Sequence, residues 1–125
     1  MSGIIKNDLG ELVISENAIA MIAGKAATEN YGLVGMINKA TSQDVFNFIK
    51  FATKDSKKRG VKVTDIGSNT FDIDLYVKLM YGLSMGVVAE NIVSHVRYQV
   101  QRITGMIIRD VNIHIEDVWV EDVEI

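Results

Sequence analysis

Cysteine is missing from this chain of 125 residues. Without a thiol the protein has no disulfide, no thiolate zinc site and no cysteine nucleophile. The chain also has no apolar run near the roughly 18 residues that span a bilayer. Its start, MSGIIKNDLGE, lacks the apolar core of a signal peptide. We therefore expect a cytoplasmic protein that reaches the inner face of the membrane only through a partner.

The chain has no excess of positive charge either, because its 13 Lys and Arg residues are outnumbered by 16 Asp and Glu residues. Dedicated nucleic acid binders usually carry a basic excess that neutralises phosphates, so nucleic acid is not the expected partner. The apolar share of 48% is typical of a globular protein. The length predicts a single domain over residues 1–125, with a short acidic tail at 117–125.

The spacing of apolar residues predicts the secondary structure. The predicted elements are a strand (10–15), a helix (16–30), a short strand (33–37), a helix (41–59), a hairpin (61–66 and 71–80), a long helix (85–104) and a strand (107–116). The order β-α-β-α-β-β-α-β predicts an α+β fold, a mixed sheet with its helices packed mainly on one face. Strands 71–80 and 107–116 should run parallel if they pair, because a helix connects them.

Two of these strands should bury one face and expose the other, since strand side chains alternate. The inward residues are Phe71, Ile73, Leu75, Val77, Leu79, Val111, Ile113 and Ile115. The outward residues are Asp72, Asp74, Tyr76, Lys78, Asp110, Asn112, His114 and Glu116. The long helix has an apolar stripe of Met85, Val88, Ala89, Ile92, Val96, Val100 and Ile103. A half-buried strand thus explains the polar residues at 109–117 without any catalytic role.

The chain has only two histidines, His95 on the long helix and His114 on the last strand. Because the helix packs on the apolar face and His114 points to the other, the two side chains should not share an ion. A metal site at His114 would need Asp72 or Asp74 from the neighbouring strand. A surface histidine is the better interpretation, and we predict no metal site.

Catalysis has no clear candidates either. Asp72 and Asp74 should lie beside Asp110 and Glu116, but acid–base catalysis needs a desolvated carboxyl in a cleft. On an open face we expect ordinary pKa values. The chain has neither a G-x-S-x-G elbow nor a phosphate-binding glycine loop. We predict no catalytic residue, no cofactor and no enzymatic activity.

Partner binding is the remaining hypothesis. Trp119 is the only tryptophan, and tryptophans often anchor interfaces, although Trp119 could instead cover the domain's own edge. We assign partner binding to Asp72, Asp74, Tyr76, Asn112, His114 and Trp119. The helix at 41–59 is an alternative surface, because Lys54, Lys57, Lys58 and Arg59 collect at its end, either as a solvated terminus or as a site for an acidic partner.

Three stretches carry a family resemblance: GELVISENAIAMIAGKAATENYGLVGM (10–36), RGVKV (59–63) and FDIDLYVKLMYGLSMGVVAENIVSHVRYQVQRITGMIIRDVNIHIEDV (71–118). The most specific pieces are Tyr81-Gly82, Thr104-Gly105 and the strand VNIHI at 111–115. With these residues the chain resembles the alkaline shock protein family of bacterial envelope stress response proteins. The resemblance implies a non-enzymatic protein of Gram-positive-type bacteria. Some members of the family self-associate and are held at the membrane by a separate anchoring protein.

Two functions follow from this reasoning. The first is a scaffold or adaptor that binds itself, as a homo-oligomer, and an envelope-associated protein. The second is a small RNA-binding α+β module, in which the basic cluster at 54–62 would contact phosphates. RNA-binding faces normally carry stacking aromatics and positive charge, whereas here Tyr76 lies among carboxylates. A ligand-binding regulator of lipid metabolism stays open as a third class.

Overall fold

The computed structural model of the protein describes residues 2–37 and 60–120. The strands are β1 (Ser2–Asn7), β2 (Gly10–Ser15), β3 (Leu33–Met36), β4 (Val61–Gly67), β5 (Thr70–Met80) and β6 (Ile107–Trp119), and the helices are α1 (Glu16–Thr28) and α2 (Met85–Thr104). The predicted α+β class is confirmed, and the predicted helix at 41–59 lies outside the described residues. Within the two described ranges, neither helix has the length and apolar character needed to cross a membrane.

Both helices begin at a serine that caps them. The Ser15 hydroxyl accepts a hydrogen bond from Ala18 N at 3.1 Å, and the Ser84 hydroxyl accepts one from Val87 N at 3.4 Å. These bonds satisfy amides that have no partner within a first helical turn. Helix α2 ends at Gly105, whose φ of 74° is left-handed and therefore suits glycine. The bounds predicted for α2 are confirmed.

Strand β5 lies at the centre of the main sheet. Strand β6 pairs with one of its edges in parallel, as the connecting helix predicted. Strands β4 and β3 both pair antiparallel with β5. Strand β4 pairs with the first half of β5, and β3 pairs with its last residues. Since β5 has only two edges, β4 and β3 lie end to end along the second edge.

The junction of β3 and β4 is closed by hydrogen bonds to Tyr76. Ile37 N donates to Tyr76 O at 2.8 Å, and Tyr76 N donates to Gly60 O at 2.8 Å. A Cβ atom on Gly60 would lie 2.5 Å from Ile37 O, so only glycine fits this position. The two short strands therefore form one antiparallel row, interrupted between Ile37 and Gly60.

The core lies between the helices and one face of the main sheet. The inward residues of β5 are all at most 1% exposed, as predicted, and they pack against both helices. The core row of α2 consists of Val88, Ile92, Val96 and Val100. The prediction was wrong for Met85 and Ile103, which are 37% and 55% exposed. Met85 lies three residues before Val88, and Ile103 lies three residues after Val100. A step of three residues turns a side chain by about 60° around the helix, away from the buried row.

The first residues form a strand that was not predicted from the sequence. Strands β1 and β2 pair antiparallel as a separate two-stranded sheet, which we call the N-terminal hairpin (Ser2–Ser15). The Asn69 side chain ties it to the β4–β5 turn, accepting from Ile4 N at 2.9 Å and donating to Ile4 O at 2.8 Å. Gly3 also packs directly on the Met106 side chain. The order β-α-β-α predicted for the first half thus lacked β1.

Replacement of a central core side chain tests this packing. We expect Leu75→Ala to lower the free energy of unfolding by about 2–5 kcal/mol, because it leaves a cavity beneath both helices. Urea denaturation followed by circular dichroism measures the change. Leu9→Ala is the control, since Leu9 is 98% exposed in the hairpin turn and its loss should change stability by less than about 0.5 kcal/mol. Equal effects of the two substitutions would contradict the assignment of the core.

Candidate functional site

The outward side chains of β5 and β6 form a continuous polar face, and Asp72 lies at its start. Arg109 donates to both oxygens of Asp72, from Nη2 at 2.6 Å and from Nε at 3.1 Å. The backbone N of Asp110 donates to the same carboxylate at 3.1 Å. The Arg109 hydrogen bonds, supported by the Asp110 amide, lower the pKa of Asp72 below its ordinary value of 3.8. The expectation of ordinary pKa values on this face was therefore wrong for Asp72.

The middle of the polar face is a cluster of four predicted residues. Asp74 Oδ1 accepts from Asn112 Nδ2 at 3.1 Å and lies 3.0 Å from His114 Nε2. The His114 ring stacks on Tyr76, with the ring centroids 4.4 Å apart and an interplanar angle of 15°. Each side chain thus holds its neighbour in place, and the carboxylate of Asp74 is satisfied by groups from the adjacent strand.

Two irregularities in β6 decide which residues reach this face. Ile108 and Val111 are both buried although they are three positions apart, because the register shifts between them. This bulge exposes both Arg109 and Asp110, whereas strict alternation would turn Arg109 inward. A charged residue in an inward position is itself the sequence signal for a bulge.

The second irregularity follows Ile115. It sets Asp117 opposite Lys78, and Lys78 Nζ lies 3.6 Å from Asp117 Oδ2. Strict alternation predicts Asp110 and Glu116, and not Asp117, as the carboxylates beside the β5 side chains. Arg109 and Asp117 are therefore additional members of the face, and both depend on the bulges in β6, whereas Lys78 was predicted to point outward.

Trp119 does not join the cluster around His114. It pairs with Met80, four register positions beyond the Tyr76–His114 pair, which is about 13 Å along a strand. Its carbonyl accepts from Tyr81 N at 2.9 Å, so β6 continues as a strand to this residue. The structure thus brings five of the six predicted partner-binding residues together and places Trp119 at the far end of the sheet.

The two histidines lie on opposite sides of the sheet, as predicted. His95 Nε2 lies 3.0 Å from Glu29 Oε1, at the end of α1, while His114 belongs to the polar face. The hydrogen bond with His95 is the main reason why the pKa of Glu29 is lowered. In the described ranges, no group of three His, Asp or Glu side chains is arranged to hold a metal ion.

The N-terminal hairpin exposes apolar side chains at its surface. Ile4 is 45% exposed, Leu12 53% and Val13 54%. Ile4 pairs with Val13 and Ile5 with Leu12, so apolar pairs occupy both faces of a two-stranded ribbon. Such grouping differs from the single exposed apolar residues that are normal on protein surfaces.

Comparisons with known proteins identify the family of this chain. The sequence matches the model of the alkaline shock protein 23 family, described as having a cell envelope-related function, over residues 4–120. The chain belongs to this family. The resemblance predicted from the motifs is thereby confirmed, and so is the cell envelope-related function.

Several relatives match along most of their length. The chain is 35% identical to the uncharacterized protein YloU of Bacillus subtilis, over 96% of this chain and 98% of that protein. It is 31% identical to the uncharacterized protein Spy1614 of Streptococcus pyogenes, over 89% of both chains. It is 32% identical to the uncharacterized protein YqhY of Bacillus subtilis, over 86% of this chain and 76% of that protein. No solved structure matches the chain significantly.

The Asp72–Arg109 pair generates a prediction about pH. Because the folded-state pKa of Asp72 lies below its ordinary value of 3.8, the ionised carboxylate stabilises the fold above that value. The contribution is lost as the pH falls through the lowered pKa. We expect Asp72→Asn to destabilise the protein at neutral pH and the difference from the wild type to shrink in acid.

Urea denaturation of both proteins between neutral pH and pH 3 measures this difference. Glu29 also has a lowered pKa, but it titrates in both proteins and cancels. Asp8→Asn, in the exposed turn of the hairpin, is the matched control for the removal of one carboxylate. A difference between wild type and Asp72→Asn that stays constant with pH would contradict the role given to the ion pair.

Proposed function

We propose that this cell envelope-related protein is a non-enzymatic scaffold or adaptor. It acts by self-association and by binding protein partners, including a protein that anchors it at the inner face of the membrane. The observation that carries the proposal is the mutual saturation of the polar face. Asp72, Asp74 and His114 are each bound to side chains of the neighbouring strand.

The arrangement of this face supports recognition rather than acid–base or nucleophilic chemistry. A catalytic carboxyl or imidazole needs a substrate within hydrogen-bond reach in a site that excludes water. Here the Asp74 carboxylate is directed at Asn112 and His114, and the face of the His114 ring is covered by Tyr76. Such a surface offers a fixed pattern of charge and shape, which serves recognition.

Exposed apolar side chains support binding to proteins. Besides the apolar pairs of the N-terminal hairpin, the cleft between α1 and α2 exposes Met21 and Ile103 beside Lys25 and Arg102, with a volume of about 490 Å³. Apolar centres with charged rims are the usual composition of protein–protein interfaces.

The polar face does not support the RNA-binding alternative. Tyr76, the aromatic side chain among the outward residues of β5, already stacks on His114. The carboxylates of Asp72, Asp74, Asp110 and Asp117 surround this pair and would repel phosphates. Most of the basic cluster at 54–62 lies outside the described residues.

Affinity capture combined with sedimentation tests the proposal. We expect the purified chain to sediment as an oligomer and, after crosslinking in bacterial cells, to retain a membrane-bound envelope protein. The matched bait is Leu12→Glu/Val13→Glu, which should lose captured protein because it charges the apolar hairpin. A strictly monomeric chain that captures no envelope protein would contradict the proposal. Salt-resistant binding to mixed RNA oligonucleotides in a gel shift would favour the alternative instead.

A further inference from the structure

Exposed aromatic side chains collect at one end of the main sheet, where β3 begins and β5 and β6 end. Met80 N donates to Gly32 O at 2.9 Å, and Tyr81 N donates to Trp119 O at 2.9 Å. These two bonds place Tyr31, which precedes Gly32, and Trp119 on either side of the end of β5. We call the exposed residues at this end the sheet-end patch: Tyr31, Val34, Tyr81, Trp119 and Val120.

The aromatic surface of the sheet-end patch is accessible to a partner. Tyr31 is 79% exposed, Tyr81 67% and Trp119 39%. Trp119 comes two residues after Asp117, so its side chain lies on the polar side of the sheet. Tryptophan and tyrosine are enriched at the centres of protein interfaces. The patch therefore has the composition of a surface that another chain covers.

The negative charge of the protein is concentrated around Trp119. Residues 116–125, EDVWVEDVEI, contain five of the 16 acidic residues and none of the 13 Lys and Arg residues. The rest of the chain therefore has 13 positive and 11 negative side chains, a net charge of +2, whereas the whole chain has a net charge of −3. One stretch of ten residues thus makes an otherwise slightly basic protein acidic.

The acidic residues that follow Trp119 supply most of this local charge. Glu116 and Asp117 already have contacts, so we do not count them as available to a partner. The three acidic residues at 121–124 come within five residues of Trp119, and five residues span at most about 18 Å. Acidic stretches of this kind are frequent interaction segments. Their charge favours a basic partner for the sheet-end patch.

We propose that the sheet-end patch binds a basic peptide, namely the Lys- and Arg-rich segment that borders a transmembrane helix of the anchoring protein. The inference rests on the proposed function and names the chemistry of that partner. Cytoplasmic segments next to transmembrane helices carry an excess of Lys and Arg. A protein that holds this chain at the inner face of the membrane therefore presents a basic segment where it leaves the bilayer. Carboxylates complement the charges of that segment, and aromatic rings offer cation–π contacts.

Trp119 itself reports the binding, because it is the only tryptophan of the chain. A peptide that covers this side chain changes its fluorescence emission. We expect octalysine, which has no aromatic residue, to change the emission of the full chain saturably at low ionic strength. Added salt should weaken the binding, because mobile ions screen exposed charges. Octaglutamate is the matched control and should leave the emission unchanged.

Charge reversal locates the site on the full chain. We expect Glu121→Lys/Asp122→Lys to weaken octalysine binding at least about tenfold, because repulsion replaces attraction beside Trp119. Asp8→Lys/Glu11→Lys makes the same change of net charge on the N-terminal hairpin and should bind as the wild type does. Equal losses in the two variants would overturn the inference, because the net charge of the chain would then attract the peptide. Circular dichroism checks that each variant is folded.

Removal of one aromatic side chain tests the cation–π contact separately from charge. We expect Tyr81→Ala to weaken octalysine binding by about two- to fivefold. Tyr98→Ala is the matched control and should bind normally, since Tyr98 has a similar exposure of 62% but lies on α2. Equal binding by these two variants would overturn the assignment of the aromatic surface.

A membrane experiment tests the source of the basic segment. A synthetic helix of about 20 leucines flanked by lysines spans vesicles of neutral phosphatidylcholine. We expect these vesicles to carry the wild-type chain upward in a flotation gradient and to leave Glu121→Lys/Asp122→Lys behind. Vesicles whose helix is flanked by serines are the control and should carry neither protein. Equal flotation of both proteins with the lysine-flanked helix would contradict the proposal.

The outcomes separate this inference from the proposed function. A chain that captures an envelope protein in cells, but whose Trp119 does not respond to octalysine, overturns the inference alone. An emission change in Lys57→Glu/Lys58→Glu without any added peptide would also overturn it, because the basic segment of this chain would then be the occupant. Dependence of that change on protein concentration would place the segment of a second copy there. A chain that captures no envelope protein and does not bind octalysine overturns both the inference and the anchoring on which it rests.

Discussion

Burial of the inward side chains of β5 holds the described parts of the chain together. Phe71, Ile73, Leu75, Val77 and Leu79 are almost inaccessible to water, and the residues packed on them come from both helices and from β6. Because β5 is paired along both edges as well, its backbone amides are satisfied without solvent. Every other described element of the main sheet is positioned by contact with this one strand.

The alternation of β5 also creates the polar face. Once its inward residues are committed to the core, Asp72, Asp74, Tyr76 and Lys78 must point the other way. The parallel partner β6 then supplies a matching side chain to each of them: a cation, an amide, an imidazole or, for Lys78, a carboxylate. The two bulges in β6 matter because they adjust its phase, so that Arg109 and Asp117 reach the carboxylate and the lysine that they neutralise.

Besides the polar face, the described residues expose a strand edge and the N-terminal hairpin. The interrupted row of β3 and β4 covers one edge of β5, and β6 covers the other, so among the described strands the outer edge of β6 has no strand paired to it. The N-terminal hairpin is the second exposed feature, held to the domain by Asn69 and Met106. Within the described residues, the apolar cleft between α1 and α2 is a further exposed surface.

Much of the fold could be predicted from the sequence because it depends on neighbouring residues. Ser84 and Gly105 mark the ends of α2 through hydrogen bonds and backbone angles within a few positions. Strict alternation predicts which side chains of β5 point inward. The helix between β5 and β6 predicts that these two strands pair in parallel. The composition of the polar face could be predicted as well, because Asp74, Asn112 and His114 occupy outward positions in each strand.

Other features were decided by the tertiary structure, because they join residues far apart in the chain. The pairing of Ile4 with Asn69 spans 65 positions, and the Arg109–Asp72 ion pair spans 37. Strand β1 has no local pattern strong enough to predict it. The charge of Arg109 in an inward position signals a bulge, but the sequence does not show that Asp72 is the partner of Arg109. The exposure of Ile103 arises in the same way: periodicity places it near the apolar stripe, but only the packing of α2 on the sheet determines where burial stops.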